Sequence, residues 1–292
     1  MLIKPGITLQ APAKINLFLA ISGKRPDGYH ELETQMLKLE LADLLHLRLT
    51  DDGITLACPG SDLPVDKSNI AFRAALAFYA ASGLAGGVDM VLEKRVPTAA
   101  GLGGGSSDGA AVLRGLNELH GHPLSMDQLL ALAAPLGADV PFFVADCDSA
   151  WATGIGERLT CNKIKVPGWI VLVNPGFAVS TQWVYENFTL TTKGNPYILG
   201  RELMLDDQVG VDKSKFTLYN DLEQVTVSRY PELGHIKEEL IAHGAGAALM
   251  SGSGPTVFGL FETEKDARVS FASFAERYGK NVFLTKPRSA VV

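Results

Sequence analysis

Hydrophobic and polar residues alternate over much of the first hundred positions, as they do in strands that are buried on one face. The pattern predicts strands over residues 7–10, 15–21, 32–41, 45–49, 54–58 and 88–96. Between the last two of these strands, Phe72, Leu76 and Tyr79 recur at helical spacing and Gly83 follows them. This spacing predicts a helix that ends at the glycine.

Helical patterns follow the strand that ends near residue 96. Apolar residues recur at helical spacing over 112–119, and Gly121 is a suitable end for that helix. Ser125 and Gln128 form a capping-box pair that starts the next helix, which we expect to stop at Gly137.

The second half of the chain alternates between the two patterns. Strands are predicted over 169–173, 247–250, 256–261 and 282–285. Helices are predicted around 183–188, over 236–241 and after the capping residue Thr263, whereas residues 190–218 show no strong period. This β-α-β-β-α-β order is typical of a ferredoxin-like sheet with helices on one face.

The whole pattern predicts an α+β protein of two domains. A chain of 292 residues is long for one hydrophobic core. Residues 153–157 are the best candidate for the passage between the halves. We therefore expect a mixed α/β domain over 1–157 and a ferredoxin-like α+β domain over 158–292.

A glycine-rich stretch joins the strand at 88–96 to the helix after it. Four of the five residues from Gly101 to Gly105 are glycine, and Ser106, Ser107 and Asp108 are residue types that cap helices. Such a loop can turn its amides toward an anion at the positive end of a helix. The stretch fits neither the Walker A pattern nor the dinucleotide fingerprint. It predicts a phosphate site, and a turn that merely packs tightly is the alternative.

Composition narrows the possible partners. The net charge of −6 argues against nucleic acid or an anionic membrane as the main partner. The cysteines Cys58, Cys147 and Cys161 are few, odd in number and widely spaced, which suits a reducing cytosol and indicates no structural metal. The start of the chain lacks the apolar core of a signal peptide, and no run approaches the ~20 apolar residues of a membrane span. We expect a cytoplasmic protein.

Two charged residues stand in apolar surroundings. Lys14 precedes an apolar strand, and Asp139 lies between Gly137-Ala138 and an apolar run with a proline. A lysine and a carboxylate could together activate a hydroxyl, the first by its charge and the second by taking the proton. The plainer alternatives are a strand-end lysine whose ammonium reaches water and an aspartate that caps a helix.

Two further segments could bind a ligand. Tyr29 and His30 follow a glycine turn, where an aromatic ring and an imidazole could stack on a base, although an ordinary strand start fits equally well. Gly252-Ser253-Gly254 is a second glycine-dense turn, which is either another anion contact or a tight hairpin.

Three blocks together resemble the GHMP kinases, a family that includes galactokinase and the homoserine, mevalonate and phosphomevalonate kinases. They are residues 11–17, 97–111 and 250–256. Residues 25–30 and 137–141 narrow the resemblance to members whose acceptor is a cytidine diphosphate sugar alcohol. The resemblance implies the two-domain GHMP kinase fold and transfer of phosphate from ATP to a hydroxyl of that acceptor.

The resemblance also implies roles for individual residues. Lys14 and Asp139 match the catalytic pair. The loop over 97–110 would hold ATP, whose expected contacts are Asn69, Lys94, Pro97, Gly101, Leu102, Gly103, Gly104, Gly105, Ser106 and Ser107. The acceptor contacts it implies are Asn16, Tyr29, His30, Thr181 and Tyr185, of which Tyr185 stands where phenylalanine is common.

Mg²⁺ is expected with ATP, because polyphosphate charge needs neutralising. No protein ligand is assigned to it, and Ser107 is a candidate. Another small-alcohol kinase of the family and a non-catalytic nucleotide sensor on the same fold are the alternative functions. The sequence predicts no oligomeric state.

Overall fold

The computed structural model describes residues 5–189, 202–206 and 215–288. The chain divides into two compact units that are not continuous in sequence. Unit 1 comprises Met1–Ala13, Ala42–Val96 and Gly103–Asp146. Unit 2 comprises Lys14–Leu41, Pro97–Leu102 and Cys147–Val292. The predicted domain boundary after residue 157 stays a prediction.

Strands and helices account for most of the described residues. The strands are β1 (Gly6–Lys24), β2 (His30–Thr50), β3 (Ile54–Ala57), β4 (Gly87–Glu93), β5 (Ser149–Thr153), β6 (Arg158–Lys165), β7 (Trp169–Val173), β8 (Glu202–Asp206), β9 (Lys215–Thr217), β10 (Tyr219–Asn220), β11 (Ala247–Met250), β12 (Val257–Phe261) and β13 (Val282–Thr285). The helices are α1 (Ile70–Ser82), α2 (Gly104–Leu119), α3 (Met126–Ala133), α4 (Val140–Val144), α5 (Thr181–Asn187), α6 (Glu223–Arg229), α7 (Glu232–Ala242) and α8 (Glu264–Tyr278). Short 3₁₀ turns cover Ala134–Leu136 and Gly279–Asn281.

The first two strands are longer than the pattern predicts. The predicted strands at 7–10 and 15–21 form one strand, which continues through Pro12. Residues 11–17 of this strand are all buried. The segments at 32–41 and 45–49 also form one strand. Between them lies Asp43, which is fully buried and whose carboxylate accepts the backbone amides of Arg95 and Val96. A buried polar residue thus hides the continuity of β2 from the sequence pattern.

Unit 1 combines a small sheet with helices. β4 pairs antiparallel with the end of β2 and parallel with β3, and α1 lies between β3 and β4 in the chain. The predicted helix that ends at Gly83 is confirmed as α1, where this glycine adopts φ +65°. α2 packs against α1 and α4. A Cβ at Gly109 would lie 2.6 Å from Cγ2 of Ile70, so the glycine allows α2 to approach α1.

The first sheet of unit 2 uses the remaining parts of β1 and β2. β5 pairs antiparallel with β2 through Thr34–Leu37 and also with β6, and β10 pairs parallel with β1. Residues 154–157, expected to lie at the passage between domains, form the turn of the β5–β6 hairpin.

The second sheet of unit 2 has the order β13-β7-β12-β11, and each described pairing is antiparallel. Helices precede β11 and β13 in the chain, so the elements follow the β-α-β-β-α-β order of a ferredoxin-like domain. The predicted α+β fold class is confirmed. An apolar cluster fills the space between this sheet and its helices; among its members are Val171, Val173, Ile236, Leu240, Met250, Phe261 and Phe274.

The cysteines depart from expectation. Cys147 and Cys161 form a disulfide beside the β5–β6 hairpin, whereas Cys58 is free and buried. Wide spacing in sequence did not indicate this pair, because the hairpin brings the two residues together. In the described part of the chain, no helix is long and apolar enough to cross a membrane.

Candidate active site

The glycine loop turns twice before α2 begins. Gly101 and Gly103 adopt φ of +75° and +69°, which favours glycine at both positions. Gly103 is the residue before the first turn of α2, so the helix starts at Gly104. The expectation that Ser106, Ser107 or Asp108 caps the helix is wrong, because the left-handed turn at Gly103 starts it earlier. Ser106 therefore lies in the first turn, whose amides lack acceptors within the helix, whereas the Ser107 amide already donates to the Gly103 carbonyl at 2.9 Å.

The loop is both closely packed and open to solvent. A Cβ at Gly101 would overlap the carbonyl oxygen of Ser251. Leu102 is buried, Pro97 is partly exposed, and Thr98, Ala99 and Gly105 are exposed. Tight packing, the plainer interpretation of the glycines, is thus true of Gly101 but leaves the outer part of the loop accessible.

Two polar atoms in the first turns of α2 are buried without a partner. Among the described residues, the Ser107 hydroxyl and the Asp108 Oδ1 atom accept and donate no hydrogen bond. Both side chains are almost fully buried. An unpartnered buried polar atom is costly unless a ligand or water supplies its partner. The Ser107 hydroxyl therefore fits a role toward a phosphate or its metal ion.

Lys94 lies between two buried carboxylates. Its ammonium donates to Oδ2 of Asp43 and, at 2.8 Å, to Oδ2 of Asp108. Burial opposes the charge on Lys94, but Asp108 and Asp43 outweigh it and raise the pKa of the ammonium. Burial raises the pKa of Asp108 to about 7, against the pull of Lys94. The described contacts of this lysine are internal ion pairs, and its predicted contact with ATP stays a prediction.

The side chain of Asn69 holds the start of α1. Its Oδ1 accepts the Ala71 amide at 2.9 Å and caps α1, while its Nδ2 donates to the Pro64 carbonyl at 2.8 Å. Its predicted contact with ATP stays a prediction.

Lys14, Asn16 and the glycine loop come together in unit 2. The Lys14 amide donates to the Leu102 carbonyl at 2.9 Å. The Lys14 ammonium donates to Oδ1 of Asn16 at 2.6 Å, and Asn16 Nδ2 donates to the Thr34 hydroxyl at 2.8 Å. Lys14 and Asn16 are buried. The alternative of a strand-end lysine that reaches water is therefore wrong.

Asp139 lies directly before α4 in unit 1. It occupies the N-cap position, but its side chain makes no capping hydrogen bond. α4 packs against α2, and a Cβ at Gly137 would lie 3.7 Å from the Ser106 hydroxyl. The carboxylate therefore belongs to a segment beside the first turn of α2. Its predicted pairing with Lys14, a residue of unit 2, stays a prediction.

Two aromatic side chains gather at His30 in unit 2. The His30 ring lies 5.3 Å from that of Tyr185, and Phe188 meets it edge-on at 6.3 Å. Burial and, less strongly, Lys24 lower the pKa of His30. Tyr29 is 61% exposed. Sequence analysis missed Phe188, although its spacing of three from Tyr185 on a predicted helix is a signal that could have found it.

The second glycine turn contacts the first loop through backbone and hydroxyl groups. Ser251 donates to the Gly101 carbonyl at 2.9 Å, and the Asn16 amide donates to Ser251 at 3.3 Å. Thr181 and Ser253 share a hydrogen bond of 2.8 Å. Sequence analysis identified the turn but not these serine contacts, since they depend on chain segments far apart in sequence.

Both halves of the chain match one family of enzymes. The family model described as "GHMP kinases N terminal domain" matches residues 69–146, and that described as "GHMP kinases C terminal" matches residues 202–280. The fold and the loop thus define a kinase that uses ATP as phosphate donor.

The most informative relatives are enzymes of one kind. A 4-diphosphocytidyl-2-C-methyl-D-erythritol kinase of Geobacter metallireducens is 49% identical over 90% of this chain and 92% of its own. One of Syntrophotalea carbinolica is 46% identical over 95% of this chain and 97% of its own. The chain belongs to the GHMP kinase family, as a relative of its 4-diphosphocytidyl-2-C-methyl-D-erythritol kinases. The predicted resemblance is confirmed.

Solved structures agree with this assignment. The crystal structure of a 4-(cytidine 5'-diphospho)-2C-methyl-D-erythritol kinase matches 97% of this chain and 100% of its own, with a TM-score of 0.78 and 35% identity. A homoserine kinase from Cytophaga hutchinsonii matches 98% of this chain and 96% of its own with a TM-score of 0.66, but at 15% identity it shares only the fold.

Proposed function

We propose that this chain transfers the γ-phosphate of ATP to the 2-hydroxyl of 4-diphosphocytidyl-2-C-methyl-D-erythritol, a step of the non-mevalonate route to isoprenoid precursors. The observation that carries the proposal is the aromatic group at His30, Tyr185 and Phe188. Aromatic rings and an imidazole offer a surface on which a pyrimidine base can stack. Homoserine and mevalonate offer no base to such a surface. We place the reaction in the cytoplasm.

ATP would be held by its phosphates at the start of α2. The first-turn amides have no acceptor within the helix and lie at its positive end. The unpartnered Ser107 hydroxyl would complete the site, either as a donor to a phosphate oxygen or as a ligand of Mg²⁺. Bound Mg²⁺ would neutralise phosphate charge. The Lys94 ammonium has three donors and uses two in its ion pairs, so the third could serve the adenosine end beside Asn69.

The chemical step would depend on Lys14 and Asp139. As the 2-hydroxyl oxygen bonds to the γ-phosphorus, the bond to the β–γ bridging oxygen breaks and ADP leaves. Asp139 would take the hydroxyl proton, and the Lys14 ammonium would stabilise negative charge on the reacting oxygens. The hydrogen bonds of Lys14 to Leu102 and Asn16 support this role, since they place the lysine beside the loop. The position of Asp139 directly before α4, a helix that packs against α2, supports the role of Asp139.

The acceptor would be bound by unit 2. His30 would contact the cytosine between Tyr185 and Phe188, with the exposed Tyr29 beside them. A neutral imidazole carries one donor and one acceptor, and the lowered pKa of His30 favours that form at neutral pH. Asn16 would contact the methylerythritol part, and Thr181 would lie near the reacting end.

An ADP-release assay across candidate acceptors tests the proposal. The cytidine diphosphate compound, homoserine and mevalonate are offered at equal concentration with ATP and Mg²⁺. We expect turnover only with the cytidine compound. Faster turnover with homoserine would show a different acceptor, and ATP binding without turnover on any alcohol would show a nucleotide sensor.

A further inference from the structure

The turn at residues 251–256 connects the segments of unit 2 to which substrate contacts are assigned. Besides the bonds of Ser251 to Gly101 and Asn16, the Thr256 amide donates to the Ala100 carbonyl at 3.3 Å. The bond between Ser253 and Thr181 adds the first residue of α5, the helix that carries Tyr185. A displacement of this turn would therefore disturb the loop and the acceptor contacts together.

Buried side chains from the segment over 220–226 hold the turn from its inner side. Asn220 Nδ2 donates to the carbonyls of Met250 and Gly252 at 2.8 and 2.7 Å. Glu223 Oε1 accepts the Met250 amide at 2.7 Å, and the Thr226 hydroxyl donates to the Ser253 carbonyl at 3.3 Å. Every one of these side chains is fully buried.

Glu223 is also half of a buried ion pair. Its Oε2 accepts from the Lys237 ammonium at 2.8 Å, and the two residues are 0% and 1% exposed. Apolar residues of similar size often replace such a pair without loss of stability, because burying both charges is costly. Stability alone is thus a weak reason for this pair, whereas a fixed position for the carboxylate is a stronger one.

We infer that Glu223 is a positioning residue for phosphoryl transfer, whose carboxylate, fixed by Lys237, holds the Met250 amide and so sets the turn beneath Gly101 and Asn16. The inference rests on the proposed function only for the identity of the acceptor. Glu223 touches neither ATP nor acceptor in this scheme, since it acts through the turn.

Two double variants distinguish the effect of the oxygen that accepts the Met250 amide from the effect of the buried charges. Glu223→Gln with Lys237→Met keeps an oxygen for the Met250 amide, whereas Glu223→Leu with Lys237→Met removes it. Both replace the ion pair by neutral groups of similar length. We expect the glutamine variant to keep kcat within about threefold of the parent. We expect the leucine variant to lose kcat at least tenfold, because a loop misplaced by a fraction of an ångström costs reactivity.

Amide hydrogen exchange over residues 100–105 provides a readout that a purely structural role would not move. We expect exchange there to accelerate at least tenfold in the leucine variant and to stay unchanged in the glutamine variant. Equal kcat and equal exchange in the two variants would overturn the inference. These exchange rates need no acceptor, so a parent enzyme that fails to phosphorylate the cytidine compound would refute the proposed function and leave this test intact.

Ile236→Val is the matched control for general destabilisation. Ile236 precedes Lys237 on α7 and is fully buried in the apolar cluster, and its side chain has no polar atom that could hydrogen-bond to the turn. If Ile236→Val lowers the melting temperature as much as the leucine variant does but leaves kcat unchanged, the inference is supported. If it lowers kcat as much as the leucine variant does, the inference is contradicted. Should the leucine variant not fold, Glu223→Asp keeps the charge but shortens the side chain. An unchanged kcat in that variant would likewise overturn the inference.

Discussion

His30 shows how a single side chain can suit one ligand. It lies against Tyr185 and Phe188, and burial together with Lys24 lowers its pKa. A neutral ring can stack on a base without bringing a charge into the contact. The residue is therefore suited to base recognition over the neutral pH range.

His30→Ala is expected to raise KM for the cytidine acceptor about tenfold or more and KM for ATP less than twofold, since the proposal puts the base of the acceptor, and not that of ATP, at this position. Steady-state kinetics with each substrate varied in turn measures both values. In the parent enzyme, KM for the acceptor should rise only as pH falls through the pKa of His30, which burial and Lys24 hold below the ordinary imidazole value. Equal changes in the two KM values would contradict base recognition.

Asp139 is a second single residue with a proposed role of its own, which is to accept the proton of the hydroxyl. Asp139→Asn should lower kcat by at least about a hundredfold, the range of general-base catalysis, while the Kd of ATP stays within threefold. Single-turnover kinetics and calorimetric titration with ATP provide the two numbers. Asp127→Asn, at the start of α3, serves as a control that should change neither. A variant at 139 with near-parental kcat would refute the general-base role.

At the scale of elements, three parts of unit 1 meet at the Lys94 ammonium. Asp43 comes from β2, Asp108 comes from α2, and Lys94 itself directly follows β4. Asp43 also accepts the amides of Arg95 and Val96, the last two residues before the loop segment that begins at Pro97. The cluster thus fixes the chain just before the glycine loop.

The raised pKa of Asp108 predicts how stability depends on pH. The folded carboxyl keeps its proton up to about pH 7, whereas the unfolded one loses it near 3.8. Stability is therefore lost as pH rises from about 4 to 7 and is level above that. Asp108→Asn should gain stability over the parent across this range, reaching about 4 kcal/mol, since the shift from 3.8 to about 7 is roughly three pKa units and one unit corresponds to about 1.4 kcal/mol.

Urea unfolding at pH 5, 6, 7 and 8 measures this difference. Asp62→Asn, which changes an exposed carboxylate of unit 1, should show no such trend. A difference between Asp108→Asn and the parent that does not grow between pH 5 and 7 would contradict the raised pKa.

The glycine loop gives a second prediction at this scale. Gly101→Ala should cost about 2 kcal/mol of stability and most of kcat, because the residue has φ +75° and a Cβ would overlap Ser251. Gly105→Ala is the comparison, since its Cβ would lie 3.7 Å from Cδ1 of Ile70, an ordinary contact. That variant should keep its melting temperature but raise KM for ATP if phosphates approach the backbone there. Equal melting temperatures for the two variants would contradict the packing described at Gly101.

For the whole molecule, the sequence predicted element types better than their extent. Periodicity located α1, α8, β7 and the ferredoxin-like order of the second half, because these elements bury one regular face. It divided β1 and β2, since Pro12 and the buried Asp43 interrupt the apolar pattern without interrupting the strands. The predicted irregular stretch at 190–218 lies largely outside the described residues.

The site shows the same limit. Motif resemblance predicts roles for Lys14, Asn16, His30 and the glycine loop, which local sequence marks clearly. It could not find Glu223, whose partners Met250 and Lys237 are 27 and 14 residues away in the chain. Contacts of this kind follow from the tertiary fold and leave no local signal.

Unit 2 makes a prediction about fragments. Its first sheet contains parts of β1 and β2, and its apolar cluster contains Leu19 and Ile21. A fragment of residues 147–292 lacks these strands, so we expect no cooperative thermal transition by circular dichroism. Adding a peptide of residues 14–41 should restore part of the transition. Cooperative melting of the fragment alone would contradict this dependence.

The interleaving of the two units along the chain also limits recombination between relatives. A chimaera that exchanges only the carboxyl-terminal half would combine the strands of one parent with the sheet neighbours of the other. To transfer the proposed acceptor-binding unit intact, a designer would have to exchange residues 14–41, 97–102 and everything from 147 onward together.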